Sequence, residues 1–230
     1  KALHSKNVAE VAEALARADI GATAVGARVL PHIAPVVAAG IEKRKEINPG
    51  KSFNLIICEN LKGAAKIFKD MVRQHISRES YAYYDREIGF VDTVIGRMIP
   101  PLVEELRKKE PSLVIVEPYK ELPVDRTGFV GEIPKIVGME VCDNFQSYTA
   151  RKLYIHNCGH AVLAYFGYLR GYEYGYEALV DPAIRNIFDR CLQESQEGIV
   201  RQYGVKPEWV QNHILELTRR FANRALGDTI

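Results

Sequence analysis

The amino-acid sequence predicts an α/β protein in which a parallel-sheet region is followed by a mainly helical one. Three observations carry that expectation. Helix-like and strand-like apolar patterns alternate through the first part of the chain, prolines crowd the middle, and after about Val141 the apolar spacing turns helical and stays so.

Residues 7–18 place Val8, Val11, Ala12 and Leu15 at helical spacing, and the apolar run 20–25 has the length of a short buried strand, closed by Gly26. A second helix is expected over 29–39, with Pro31 near its start and Gly40 at its end. After the basic stretch 42–45, residues 53–58 form another interior strand. Helix, strand, helix, strand at this spacing is the rhythm of a parallel α/β sheet. Residues 62–78 are helical in pattern; a tyrosine-rich turn then leads to a strand at 90–95, with a further strand candidate at 113–117. Prolines 100, 101, 111, 118, 123 and 134 break helices and mark strand ends, so 89–138 is expected to be mixed strand and loop joining two domains. Three helices follow, over 145–169, 182–203 and 207–226, the second opened by Asp181 as N-cap before Pro182.

Across 230 residues an apolar fraction of 47% is enough to bury a substantial core. The 31 lysines and arginines nearly balance 29 acids, for a net charge of +2, so no bulk attraction toward nucleic acid or membrane is expected and any anion site must be local. Cys58, Cys142, Cys158 and Cys191 are scattered in apolar segments without a C-x-x-C pair, which points to free thiols and a reducing, cytoplasmic setting. The opening residues lack the apolar core of a secretory signal, and no apolar run approaches the roughly 20 residues of a membrane helix.

Chemistry concentrates in Arg151-Lys-Leu-Tyr-Ile-His-Asn-Cys-Gly-His160. At about 100° per residue Lys152, His156 and His160 fall on one side of a largely apolar helix, with Asn157 at its margin. Three readings fit this. Lys152 can snorkel to solvent while the histidines are satisfied packing residues. His156 and His160, four apart, can meet one Zn²⁺, although the glutamate of an H-E-x-x-H helix is absent. Alternatively, a desolvated Lys152 works as an acid/base with an amide and an imidazole beside it.

The pattern Lys152-x-x-x-x-Asn157-x-x-His160 resembles the K-x-x-x-x-N-x-x-H signature of the long-chain mannitol dehydrogenase family. Thr23-Ala-Val-Gly26 and Ile57-Cys-Glu-Asn60 are similar to that family's T-A-V-G and A-C-E-N strand ends. Gly89-Phe-Val-Asp-Thr-Val-Ile-Gly-Arg-Met-Ile-Pro100 resembles G-F-V-D-S-x-V-D-R-I-V-P, and Val124-Asp-Arg-Thr-x-Phe129 with Gly138-Met-Glu140 resembles V-D-K-T-x-F and G-M-E. The resemblance covers nearly the whole chain and leans to the branch acting on mannitol 1-phosphate. It implies a partial Rossmann-type nucleotide-binding domain over 1–90, connecting strands and loops over 91–140, and a mainly α-helical substrate and catalytic domain over 141–230, truncated relative to the family, with the active site between the domains. It implies reversible, metal-free, NAD-dependent interconversion of mannitol 1-phosphate and fructose 6-phosphate. In the roles the family assigns, Lys152 takes the hydroxyl proton, the amides of Asn157 and Asn60 donate to the developing oxyanion, and His160 holds substrate hydroxyls or orients the lysine. Thr23, Val25, Gly26, Glu59 and Asn60 would bind the cofactor, and Arg97, Arg126 and Arg151 the phosphorylated substrate.

Some positions depart from that pattern. Ser5-Lys6-Asn7 follows the first four residues where a G-x-G-x-x-G turn is expected, so either dinucleotide affinity is weakened or a segment is missing between His4 and Ser5 of a longer protein. Gly96 and Ala150 stand where the family has acidic residues, which removes usual support for the lysine. A relative that kept a sugar-phosphate pocket and lost cofactor binding is the rival expectation, and a zinc hydrolase a third.

Overall fold

A computed structural model describes residues 2–230 and divides the chain into two compact units, Lys1–Ile95 with Leu122–Phe145, and Gly96–Glu121 with Gln146–Ile230. The segment 91–140, expected as a connector, is therefore shared: its two ends belong to the first unit and its middle to the second.

In the first unit, strands β1 (Ile20–Thr23), β2 (Phe53–Ile57) and β3 (Ile88–Asp92) form a parallel sheet in that order. Ile20 pairs with Asn54 and Phe53 with Ile88. Every residue of β2 is buried, which is why it reads as an uninterrupted apolar run. Helices α1 (Val8–Arg17), α2 (Leu30–Ile47), α3 (Ala64–Arg73) and α4 (Tyr81–Glu87) complete this part. Helix α2 does not stop at Gly40 as expected but runs on to Ile47. Gly40 serves helix packing instead, because a Cβ there would lie 2.8 Å from Cδ2 of Leu15 on α1. The extra turns carry Arg44 into the interior, where its guanidinium donates to the carbonyls of Ala16 (2.9 Å), Ala18 (2.7 Å), Lys51 (3.3 Å) and Ser52 (3.1 Å). The tyrosine-rich stretch, expected as a turn, is helix α4; Tyr84 is fully buried and its hydroxyl donates to the Lys69 carbonyl at 2.6 Å.

The second piece of this unit supplies the parallel strands β4 (Leu122–Asp125) and β5 (Met139–Cys142). It is fastened to the sheet by a bridge from Thr93 to Val124 and by Asn54, whose carboxamide exchanges hydrogen bonds with the N–H (2.9 Å) and carbonyl (3.0 Å) of Val130. Ile56, Val91 and Val124 close a small apolar core around that seam.

The second unit opens with helix α5 (Glu104–Lys109), which lies in a stretch expected to be strand and loop. Residues 113–117 form no strand; proline flanks them at 111 and 118 and no partner strand pairs with them. The helix expected over 145–169 is built in three parts: α6 (Phe145–Arg151), a π-helical segment (Lys152–Asn157) and α7 (Cys158–Arg170), ended by Gly171 at φ 75°. Then come α8 (Gly175–Val180), α9 (Pro182–Tyr203) and α10 (Pro207–Phe221). Asp181 caps α9 as its sequence predicts, accepting from the N–H groups of Ala183 (2.8 Å) and Ile184 (3.2 Å). Ile155, Leu163, Phe188, Leu217 and Phe221 lie in one buried cluster of this unit. Among the described residues no helix is long and apolar enough to cross a membrane.

Candidate active site

The Lys152–Asn157 segment departs from α-helical winding at the residues that carry the signature. The N–H of Cys158 donates to the Leu153 carbonyl, an i to i−5 bond that widens the turn. In α-helical winding Asn157 would stand well round the helix from Lys152; the wider turn brings position i+5 back toward position i. Such π-bulges recur at functional sites.

Lys152 is largely withdrawn from water. Burial disfavours its ammonium form, the positive charge of Arg220 adds to that effect and Glu117 opposes it, leaving the amine at a pKa of about 8. His156 and His213 are buried and are held neutral by burial first and by surrounding cations second, at about 2 and about 3 respectively. The His156 ring meets Phe221 edge to face at 5.7 Å.

Beneath them is a buried ion pair, with Glu117 5% and Arg220 8% exposed. Arg220 grips both carboxylate oxygens, Nε to Oε2 at 2.8 Å and Nη2 to Oε1 at 2.6 Å, and Nη2 also donates to the carbonyl of Gly96. The Met98 N–H donates to the same carboxylate at 2.5 Å, and the guanidinium lies over the Tyr119 ring at 4.1 Å. The Nη1 of Arg220 is buried without a partner.

His160 is half exposed; its Nε2 stands 2.8 Å from Oδ2 of Asp228, and its ring stacks on Phe221 at 5.6 Å. Together with His156, Met98, Ile99 and Asp228 it lines a cavity of about 310 Å³. Asn157 is exposed. His160 faces a carboxylate, and among the described residues no three His, Cys, Asp or Glu side chains gather into a metal-ligand group.

The expected phosphate-binding arginines are each engaged by protein. Arg151 is buried against Trp209 (4.2 Å) and Tyr148 (4.9 Å), with Glu121 at 3.8 Å; Arg97 donates to the Tyr119 carbonyl; exposed Arg126 donates to Asp143 at 2.5 Å.

In the first unit the expected cofactor residues gather at the C-terminal ends of β1 and β2. Glu59, buried, accepts from the N–H groups of Val25 (3.0 Å) and Gly26 (2.8 Å), so its carboxylate shapes the loop after β1. The Thr23 hydroxyl is buried without a partner. Gly26 takes φ 88°, with open space where a side chain would stand. Asn60 is exposed one residue beyond Glu59.

Sequence reasoning did not single out Glu117, Arg220, His213 or Asp228. Glu117 reads as the last residue of an apolar run and Arg220 as half of an Arg-Arg pair near a helix end, both ordinary surface patterns. Of the two buried histidines, His156 was legible, through its helical spacing to Lys152.

Comparison with known proteins agrees with this architecture. The mannitol dehydrogenase Rossmann domain matches residues 1–138, and the mannitol dehydrogenase C-terminal domain matches residues 144–230. Pseudomonas fluorescens mannitol 2-dehydrogenase, solved as a ternary complex with NAD and D-mannitol, is 17% identical with a TM-score of 0.72, over 97% of this chain and 53% of that one. A D-sorbitol dehydrogenase solved in substrate-free form is 18% identical with a TM-score of 0.77, over 97% and 54%. The chain thus spans about half the length of these structures. Two family domains, matched in order and together covering almost every residue of a sheet unit and a helical unit, place the chain in the mannitol dehydrogenase family.

Proposed function

We propose that the protein carrying this chain is an NAD-dependent polyol dehydrogenase acting on a sugar alcohol phosphate, as a mannitol-1-phosphate 5-dehydrogenase that interconverts mannitol 1-phosphate and fructose 6-phosphate. The observation that carries the reading is Lys152: a withdrawn amine with a pKa of about 8 at the start of a π-bulge, four residues from a buried imidazole. An ordinary surface lysine, near 10.4, would hold its proton too tightly to accept another at neutral pH.

The residues after β1 and β2 fit the nicotinamide end of the cofactor. Thr23 offers an unpartnered buried hydroxyl, Gly26 leaves room for a flat ring, and Glu59 holds the loop in place. Thr23, Val25, Gly26, Glu59 and Asn60 would hold that end, and NAD when bound supplies the hydride acceptor. Residues 5–7 do not fit the pyrophosphate, because Asn7 spends its side chain capping the Glu10 N–H at 3.5 Å and no glycine opens the turn.

On the alcohol, Lys152 accepts the hydroxyl proton, the Asn157 amide donates to the oxygen as charge grows on it, and His160 holds a neighbouring hydroxyl. Arg97, Arg126 and Arg151 are the candidates for the phosphate, each having to exchange a present partner for it. The test is nicotinamide absorbance with the full-length protein, NAD and either mannitol 1-phosphate or mannitol. Turnover favouring the phosphate, cut by about 10²- to 10⁴-fold in Lys152→Ala, is the expected result. Undiminished turnover in that variant removes Lys152 from the chemistry, and preference for free mannitol removes the phosphate.

A further inference from the structure

Buried ion pairs contribute little to stability on average, because desolvation offsets their attraction, so a buried pair invites a question about what it serves. Glu117 and Arg220 are such a pair, bonded at 2.6 and 2.8 Å. Helix α10, which carries Arg220, packs on the Lys152–Asn157 segment, and Phe221, the residue after Arg220, meets the ring of His156 four residues on from Lys152. Arg220 is not free to turn away. Its Nε and Nη2 are held by Glu117 and by the Gly96 carbonyl, and its face is held by Tyr119.

We infer that Glu117 and Arg220 are positioning residues for the proposed dehydrogenase reaction: a clamped pair of opposite charges, fixed beside Lys152, that balances how readily its amine takes and releases a proton. This rests on the assignment of Lys152 as the acid/base.

The surroundings of the amine are few. Arg220 from α10 and Glu117 from the segment before β4 are the charged groups acting on it, in opposite senses. His156 on its own segment and His213 on α10 stay neutral at physiological pH, being held at about 2 and about 3. Arg151, next in sequence, turns to Trp209 and Glu121. Two opposed charges held in rigid geometry make a setting that either partner can unbalance: alone, the arginine drives the proton off and the glutamate holds it on.

The test exploits that opposition. The pH dependence of trace acetylation of Lys152 by acetic anhydride, read by peptide mass spectrometry on the full-length protein, reports when the amine becomes neutral without cofactor or turnover. In Glu117→Gln the midpoint should fall by about half a unit or more, because only the cation is left; in Arg220→Gln it should rise by a similar amount. The pH profile of kcat/KM for polyol oxidation should move with it in each variant. A purely structural pair would lower thermal stability in both variants and leave the midpoint alone. Unmoved midpoints, or shifts of the same sign, overturn the inference. If Arg220→Gln does not fold, Glu117→Gln alone decides, since its shift must be downward. Shifted midpoints in a protein without polyol turnover would leave the electrostatic coupling standing and sink the proposed reaction.

Discussion

Lys152 holds a position that costs stability. Its amine titrates at about 8 in the folded protein, against 10.5 for an ordinary lysine. Between those values the unfolded chain keeps a proton that the native state has released, so native stability must rise with pH across that window, and below it the burden is constant. Lys152→Met, which keeps the volume and removes the charge, should therefore raise Tm at pH 7, by the equivalent of roughly 1–3 kcal/mol, and the gain should shrink as pH approaches 10. Differential scanning calorimetry at the two pH values checks this; a gain that does not change with pH would mean that the amine is as wet folded as unfolded. That Lys152, Asn157 and His160 share one helical stretch was legible in the sequence through their spacing. The charges around the lysine were not, because burial of a glutamate and an arginine depends on a pairing across about a hundred residues of chain, which no local pattern encodes.

The element that carries the candidate lysine and amide is the π-segment, and here local reading was partly blind. Apolar periodicity at 3.6 residues per turn identifies 145–169 as helical, and it is helical, but one wider turn within it shifts the phase of every residue after Asn157. Deleting Tyr154, whose side chain is exposed at 52%, should let this stretch relax into an α-helix. Helix content by circular dichroism should stay near wild type while polyol turnover falls at least about 10²-fold, since Lys152 and Asn157 lose their relative placement. Retained turnover would mean that the wider turn is incidental. The other misread elements have similar local causes. Gly40 looked like a helix stop and is a packing contact against Leu15, the tyrosine run around Tyr84 looked like a turn and buries its rings as a helix, and the apolar run before Glu117 looked like a strand but has no neighbour to pair with. In each, tertiary packing rather than intrinsic preference chose the conformation.

At the scale of the whole molecule, the alternation of helices and strands gave the correct class, a parallel sheet followed by helices, because that rhythm admits few topologies. Which residues belong to which unit was beyond its reach, since the chain leaves the first unit after Ile95 and returns at Leu122. Acid should expose a global weakness. His156 and His213 take up protons in the folded state only at about 2 and about 3, whereas in the unfolded chain they do so near 6.5. From pH 6.5 downward the unfolded state binds up to two more protons through these residues, so stability is fully present above that pH and drains away as pH falls toward 3. Urea unfolding at pH 7 and pH 5 should show a loss of about 2–4 kcal/mol, halved in His213→Phe; no difference between the two would refute the burial of both rings.

The clasp between Asn54 and Val130 bears on how this protein is made. As a ribosome delivers the chain, residues 1–95 emerge with a sheet whose inner faces, at Ile56 and Val91, still await Val124. At about 5–20 residues per second the missing piece arrives roughly 1–6 seconds later, and until then the nascent sheet is open to association with its neighbours on the same messenger or to capture by a chaperone.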